Sequence, residues 1–310
     1  MEVIVGYTGF VGSNLQRQHK FDRVFNSKNI ADAFGVNPDL CVYAGIRSEK
    51  FVADKFPEND LKHVKEAIEN IRQICPKRLV LISTVDVIPS PQTTDIYEDT
   101  LYQTDRLTPY GQNRLFLENE VRRLYPDTLI VRLPALFGKG MKKNFIYDLV
   151  SFVPALLKKT KFEGFCLEIE ELNNFYKEDE NGFFRLKPSI SDSGLAKLKS
   201  MFESLGFSAL NFTDSRSKFA FYNLEYLWVH IETLLNDGAT LVHMATAPVS
   251  AAEIYFALYG EIFKNEIIPQ PFDYTFFKTR HTKVLGGKDG YIFDKYETVS
   301  DIVNFVNHVI

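Results

Sequence analysis

The sequence predicts an α/β protein built on a doubly wound parallel sheet. Short runs at Glu2–Val5, Leu40–Ala44, Leu79–Ile82 and Leu129–Leu133 are apolar almost throughout. Segments of helical spacing separate them, and a glycine-rich turn follows the first run directly. Strands without polar alternation are buried on both faces, and strands that alternate with helices pair in parallel.

The elements follow in order. Glu2–Val5 reads as a strand and Phe10–His19 as a short helix. Arg23–Phe25 is a second strand and Leu40–Ala44 a third. Leu61, Val64, Ile68 and Ile71 repeat at helical spacing, so 61–74 is a helix. Leu79–Ile82 is the fourth strand. Thr108 and Pro109 form a helix start, cap then first position, for a helix to Leu124. Leu129–Leu133 is the fifth strand. Beyond residue 140 the pattern weakens. Residues 143–158 read as helical, 161–222 as mixed and polar, and Leu224–Leu235 as a helix around the lone Trp228. Leu241–Ala245 is a late strand, Ser250 caps a helix, and Ile302–Val309 closes the chain with another. The expected division is 1–142 with 223–247 as one domain, and 143–222 with 248–310 as a smaller C-terminal α/β substrate-binding region.

Composition narrows the function classes. The 310 residues are 45% hydrophobic and 25% charged, ordinary for a globular chain. A net charge of −4 offers no electrostatic footprint for nucleic acid. Cys41, Cys75 and Cys166 lack metal-ligand spacing, so no metal is expected, and their odd number argues against a disulfide framework. A reduced, cytoplasmic compartment is the expectation. Met1 runs straight into a strand pattern, so no signal peptide is expected. No apolar run reaches the length of a membrane span, so no membrane partner is expected.

The turn GYTGFVGSNL carries the chemistry. Between a strand and a helix, one glycine permits the tight turn, one lets a phosphate approach the backbone, and one admits close helix packing. Freed amides and the positive end of the helix dipole then bind a pyrophosphate. Gly6, Thr8, Gly9, Phe10, Val11 and Gly12 are the expected dinucleotide contacts. The spacing is G-x-x-G-x-x-G rather than G-x-G-x-x-G. The second strand runs into Asn26, Ser27 and Lys28 with no carboxylate for a ribose 2′-hydroxyl, so NADP is favoured over NAD. Lys28 either holds a 2′-phosphate or lies in water.

In this order the motifs resemble the extended short-chain dehydrogenase/reductases, a Rossmann-type family of nucleotide-sugar epimerases, dehydratases and reductases. The likeness runs through GYTGFVGSNL, a strand ending Tyr43-Ala44-Gly45, one ending Ile82-Ser83-Thr84, Tyr110 at a helix start, and VRLPALFGKG. ATAPVSAAEI resembles the family's late strand and helix, and GKGMKKNFIYDLV is similar to a stretch of the dTDP-4-dehydrorhamnose reductases. The resemblance covers 1–145 well and 223–260 loosely.

The resemblance implies a nicotinamide coenzyme, NADP or NAD, with further contacts from Ala44, Gly45, Arg47, Ser83 and Pro134. It implies Tyr110 as acid/base and Thr84 as the hydroxyl that orients the reacting oxygen. A phenol with an ordinary pKa near 10 needs a neighbouring cation. The family's lysine is replaced by Arg114 in YGQNR. At about 4 Å and a dielectric of about 20 a cation supplies roughly 4 kcal/mol, but a guanidinium does not relay protons. Arg114 is therefore expected to hold the nicotinamide ribose and favour the tyrosinate. On the substrate side the resemblance implies Asn144 and Phe145 against the sugar, and Arg280 in KTRHTK either gripping a diphosphate or forming a surface charge run. Thr84 is followed by Val85 and Asp86 without a Glu, which disfavours a dehydratase; reductase and epimerase stay open. The alternative is a coenzyme-holding relative that has lost its chemistry and acts as a sensor or subunit. A homodimer is compatible with the resemblance.

Overall fold

The computed structural model describes residues 1–309. In order the elements are β1 (Glu2–Val5), α1 (Phe10–Gln18), β2 (Arg23–Phe25), β3 (Leu40–Tyr43), α2 (Lys50–Lys55), α3 (Pro57–Ile74) and β4 (Leu79–Thr84). Then come α4 (Pro109–Leu124), β5 (Leu129–Leu133), β6 (Ala135–Phe137), α5 (Phe145–Ser151), β7 (Leu156–Lys158), α6 (Lys159–Glu168), β8 (Tyr176–Glu178) and β9 (Phe183–Leu186). The chain ends with α7 (Asp192–Ser204), β10 (Lys218–Phe219), β11 (Phe221–Asn223), α8 (Leu227–Asp237), β12 (Leu241–His243), β13 (Val249–Ser250), α9 (Ala251–Tyr259) and α10 (Lys295–Val309). Two compact units form. The first takes Met1–Gly140, Lys218–Val249 and Phe272–Phe305; the second takes Met141–Ser217, Ser250–Pro271 and the chain end. Residues 272–305, expected with the substrate region, thus belong to the first unit.

The first unit is a six-stranded, all-parallel sheet in the order β12-β5-β4-β3-β1-β2, the Rossmann-type α/β class expected. Pleat alternation divides its side chains between two cores. Ile4, Val42, Val80, Val131 and Val242 face α1 and α8, packing with Leu15, Leu227, Trp228 and Ile231. Val3, Val5, Cys41, Leu81 and Ile130 face α3 and α4, packing with Val64, Ile71, Leu117 and Val121. Both faces are dry, which is why the strands read as unbroken apolar runs. The chain moves from β1 outward to β2, then crosses to β3 on the other side of β1. That reversal opens a crevice beyond the carboxyl ends of β1 and β3, where doubly wound sheets bind ligands.

The second unit has a core of Leu157, Phe162, Leu172, Tyr176, Leu198 and Phe202, with Phe162 stacked on Phe184 at 3.9 Å. Helices α6 and α7 accompany an antiparallel sheet ordered β7-β9-β8. The helix expected over 143–158 stops at Ser151. Phe152 turns to φ 60°, Pro154 bars a helical residue before it, and the chain re-emerges as β7. Helix α3 also starts earlier than its apolar spacing shows, because Pro57 occupies a first-turn position with Glu58 and Asp60 beside it.

Candidate active site

The glycine turn lies at the crevice between β1 and β3. Gly6 has φ 91°, and a Cβ there would fall 2.5 Å from the Ala44 carbonyl oxygen, so this position is closed to side chains. A Cβ at Gly12 would sit on the Gly6 carbonyl, so α1 packs onto the turn only through hydrogen. Gly9 differs: its Cβ would meet only the Gly6 carbonyl oxygen, at 3.3 Å. Packing presses on position 9 less than on Gly6 or Gly12, since a Cβ asks the Gly6 carbonyl to give by only a few tenths of an ångström, whereas an anion drawn close to the main chain would exclude a side chain there. Gly9 is the N-cap of α1 and offers no side-chain cap, so the first-turn amides beginning at Phe10, Val11 and Gly12 stay available. The exposed Thr8 completes the turn. A pyrophosphate fits this cradle.

Its flanks come from the neighbouring strands. After β2, Asn26 Oδ1 accepts from the Lys28 amide at 2.9 Å and Asn29 Oδ1 from the Asn26 amide at 2.8 Å. This fixed turn leaves the side chains of Ser27 and Lys28 exposed. After β3, the Ala44 amide donates to Val5 at 2.9 Å, holding Ala44 and Gly45 against the turn. Pro134, half-buried, follows β5.

Thr84 ends β4, next to β3, and Tyr110 opens α4. Thr108 caps α4 through its hydroxyl, which accepts from the Gly111 amide at 3.3 Å. Gly111 lets the helix start press against the loop after β4, since a Cβ there would sit on the Asp86 carbonyl. The segment α2 also grips α4: Asp54 Oδ1 accepts from the Tyr110 amide at 2.9 Å.

Arg114 corrects the sequence expectation. It is buried, and its two terminal nitrogens each meet the Asp60 carboxylate at 2.9 Å. The second also donates to the Arg47 carbonyl at 2.6 Å. Asn113 supports the same carboxylate at 2.9 Å. With both ends of its fork engaged, Arg114 is not free to grip a ribose; it lies over the Tyr110 ring, 4.3 Å from the centroid. Nor does it win the contest for the phenol. Burial pushes Tyr110 up from its ordinary value, Arg114 pulls it down less strongly, and Asp86 adds to the rise.

Ser83, Asn144 and Phe145 depart from expectation, and Arg280 takes the surface-charge setting of its two. Ser83, expected at the coenzyme, donates its hydroxyl to Glu118 at 2.5 Å inside the core. Glu118 also binds Arg132, which reaches His243 Nε2 at 3.2 Å, so the VRLPALFGKG arginine belongs to a buried polar network. Phe145 is 3% exposed and stacks on Phe263, so it is core of the second unit rather than a sugar contact; Asn144 Oδ1 caps α5 at the Tyr147 amide. Arg280 pairs with Asp99 at 3.1 Å and covers the Tyr97 ring at 3.8 Å, so its guanidinium is already engaged.

The residues missed from sequence are acidic or basic partners. Asp86 Oδ2 accepts from the Thr84 hydroxyl at 3.2 Å, and Lys50 Nζ lies 2.6 Å from Asp86 Oδ1. Asp86 was visible as the lone acid after Thr84. Lys50, Asp54 and Asp60 had no signal, because no local spacing announces a partner more than thirty residues away. Among the described residues no cluster of three or more ligating side chains is placed for a metal, and no helix is long and apolar enough to cross a membrane.

No protein-family model and no curated protein sequence matches the chain. Solved structures do. A dTDP-4-dehydrorhamnose reductase from Yersinia enterocolitica superposes with TM-score 0.62 at 14% identity, over 100% of this chain and 99% of its own. The dTDP-4-dehydrorhamnose reductase of Bacillus anthracis in complex with NADP gives TM-score 0.62 at 14% identity, covering 99% and 97%. TunA, an NAD-dependent NDP-hexosamine 5,6-dehydratase of tunicamycin biosynthesis, gives 0.60 at 16% identity, covering 99% and 97%. The chain therefore shares the fold of the dTDP-4-dehydrorhamnose reductases and related NAD(P)-dependent sugar enzymes, along its whole length.

Proposed function

We propose that this chain binds NADP or NAD at the Gly6–Gly12 turn and is an oxidoreductase or epimerase acting on a nucleotide-linked sugar. The observation that carries this is Gly9: a glycine that packing constrains less than Gly6 or Gly12, at helix amides without a side-chain cap, beside the crevice of a doubly wound sheet. The structural neighbours handle nucleotide sugars with these coenzymes, which supports the same substrate class here.

When bound, the nicotinamide supplies or accepts the hydride at the sugar carbon. The protein's part is the proton. The Tyr110 hydroxyl donates to the carbonyl oxygen during reduction and takes the proton back in the reverse direction. Thr84, at the end of β4, orients that oxygen. Ser27 and Lys28 are proposed to hold a 2′-phosphate, which favours NADP. Unit 2, 141–217 with 250–271, is proposed to recognise the sugar nucleotide.

A second reading is a coenzyme-holding sensor or subunit. One observation favours it: Arg114 is committed to Asp60, and the phenol is raised rather than lowered. Purified protein with NADPH or NADH and a panel of dTDP-, GDP- and UDP-linked keto sugars decides between them. For a reductase the absorbance of the reduced coenzyme should fall; for an epimerase, given the matching hydroxy sugars, the sugar should change configuration with no net change in absorbance. In either case Tyr110→Phe should bind coenzyme normally while losing turnover. Coenzyme binding without turnover on any member of the panel would favour the sensor.

A further inference from the structure

Arg114 leaves the oxygen site without a free cation of its own, and the cation that faces the Thr84 side comes from elsewhere. Helix α2 begins at Lys50, whose ammonium lies 2.6 Å from one oxygen of Asp86. The other oxygen of Asp86 accepts from the Thr84 hydroxyl at 3.2 Å, while the Asp86 amide donates to Thr84 Oγ1 at 3.2 Å. One turn along the same helix, Asp54 accepts from the Tyr110 amide at 2.9 Å. A six-residue helix thus touches both candidate reacting segments, one through a charge and the other through a backbone amide. The Asp86 side chain is 18% exposed and that of Lys50 42% exposed, so the pair sits at the margin of the site rather than in the core.

We propose that Lys50 is a positioning residue for the chemistry at Tyr110: its ammonium neutralises the Asp86 carboxylate that accepts the Thr84 hydroxyl, so that the negative charge on that loop does not hold the proton on the phenol. Without it, an uncompensated carboxylate would grip the Thr84 hydroxyl, which it already accepts, more strongly and would repel the tyrosinate. The charged groups about Tyr110 are Arg114 on α4, Asp60 on α3, Asp86 after β4, and Asp54 on α2, whose carboxylate is engaged by the Tyr110 amide. Arg114 and Asp60 offset each other as a bidentate pair. Asp86 is the acid left over, and Lys50 is its partner. The turnover arm of the test rests on the function proposed above; the titration arm does not.

Ultraviolet titration of tyrosinate, each variant referenced to its own Tyr110→Phe version, reads the phenol with no coenzyme present. Lys50→Gln should raise the midpoint by about one pH unit, the scale of one unit charge across a partly buried site. Lys50→Arg should leave it near wild type. Asp86→Asn added to Lys50→Gln should return it to the wild-type value or below. The basic limb of the turnover profile should move with it, and turnover of Lys50→Gln near neutrality should fall about tenfold. An unmoved midpoint in Lys50→Gln, or no return in the double variant, overturns the proposal. Absent turnover with the midpoint shifts intact leaves the charge assignment standing and instead refutes the oxidoreductase reading. Circular dichroism confirms that each variant is folded before titration, and Lys50→Met replaces any that is not.

Discussion

The turn at Gly6–Gly12 follows β1, and the Tyr110 site lies beyond β4, with β3 between the two strands, yet they are built from different materials. The turn works through main chain: open amides, a Gly6 at φ 91° that only glycine adopts without strain, and a helix end without a side-chain cap. The Tyr110 site works through charges held in place by other charges, Arg114 by Asp60 and Lys50 by Asp86. A main-chain site tolerates any side chain that does not fill it. A charge-built site fails when one partner goes, because the survivor keeps its cost of burial.

The largest expected effect follows from that asymmetry. Asp60→Ala should lower stability by about 3–5 kcal/mol, measured by urea unfolding, since it strands a guanidinium that is 3% exposed. Asp22→Ala, on an exposed carboxylate, should change stability by less than about 1 kcal/mol. Arg114→Lys comes next. A single ammonium does not span both Asp60 oxygens and the Arg47 carbonyl, so the loss should be about 2 kcal/mol, with the Tyr110 ring losing its cover. Restored family-like lysine at 114 is therefore expected to weaken the protein. Equal stability of Arg114→Lys and wild type would show that the bidentate pair is not what holds α3 to α4.

Acid should reveal the buried polar network. Burial lowers His243 and His230 from the ordinary 6.5 to about 4 each. The unfolded chain takes up these protons first, so the stability tied to the neutral rings is complete above pH 6.5 and is lost as pH falls toward 4. His243→Gln should flatten the fall by on the order of 2 kcal/mol across that window, with His230→Gln removing a further part. Urea midpoints collected across the same range would show it. The smallest expected effect is at the rim of the turn: Lys28→Ala should weaken NADP about tenfold and leave NAD unchanged, if the exposed ammonium meets the 2′-phosphate.

The same contrast explains what was legible from residues alone. The strands and α1, α3 and α4 announced themselves because burial on both sheet faces writes apolar runs, and because Thr108, Pro109 and Ser250 cap by local chemistry. The glycine turn was legible because backbone geometry restricts residue type at each position. Tyr110 and Thr84 were legible only by resemblance. Asp60 and Lys50 were not legible, since salt bridges from α3 to α4 and from α2 to the loop after β4 leave no periodic mark. Phe145 misled because its motif context pointed outward while its ring packs inward on Phe263. The second unit gave little away: its core is assembled from helices and three- to four-residue strands, the strands too brief for a period to build up.

Calorimetric titration of NADP and NAD into wild type and Gly9→Val tests the central claim most directly. The Cβ of the substitution meets one backbone oxygen at 3.3 Å, so a thermal melt first establishes that the Gly6 carbonyl gives way and the variant is folded. Coenzyme affinity should nevertheless fall at least a hundredfold, because the valine occupies the space a diphosphate needs against the amides of α1. Wild-type affinity in a folded Gly9→Val protein, or no binding of either coenzyme by the wild type, would contradict the account.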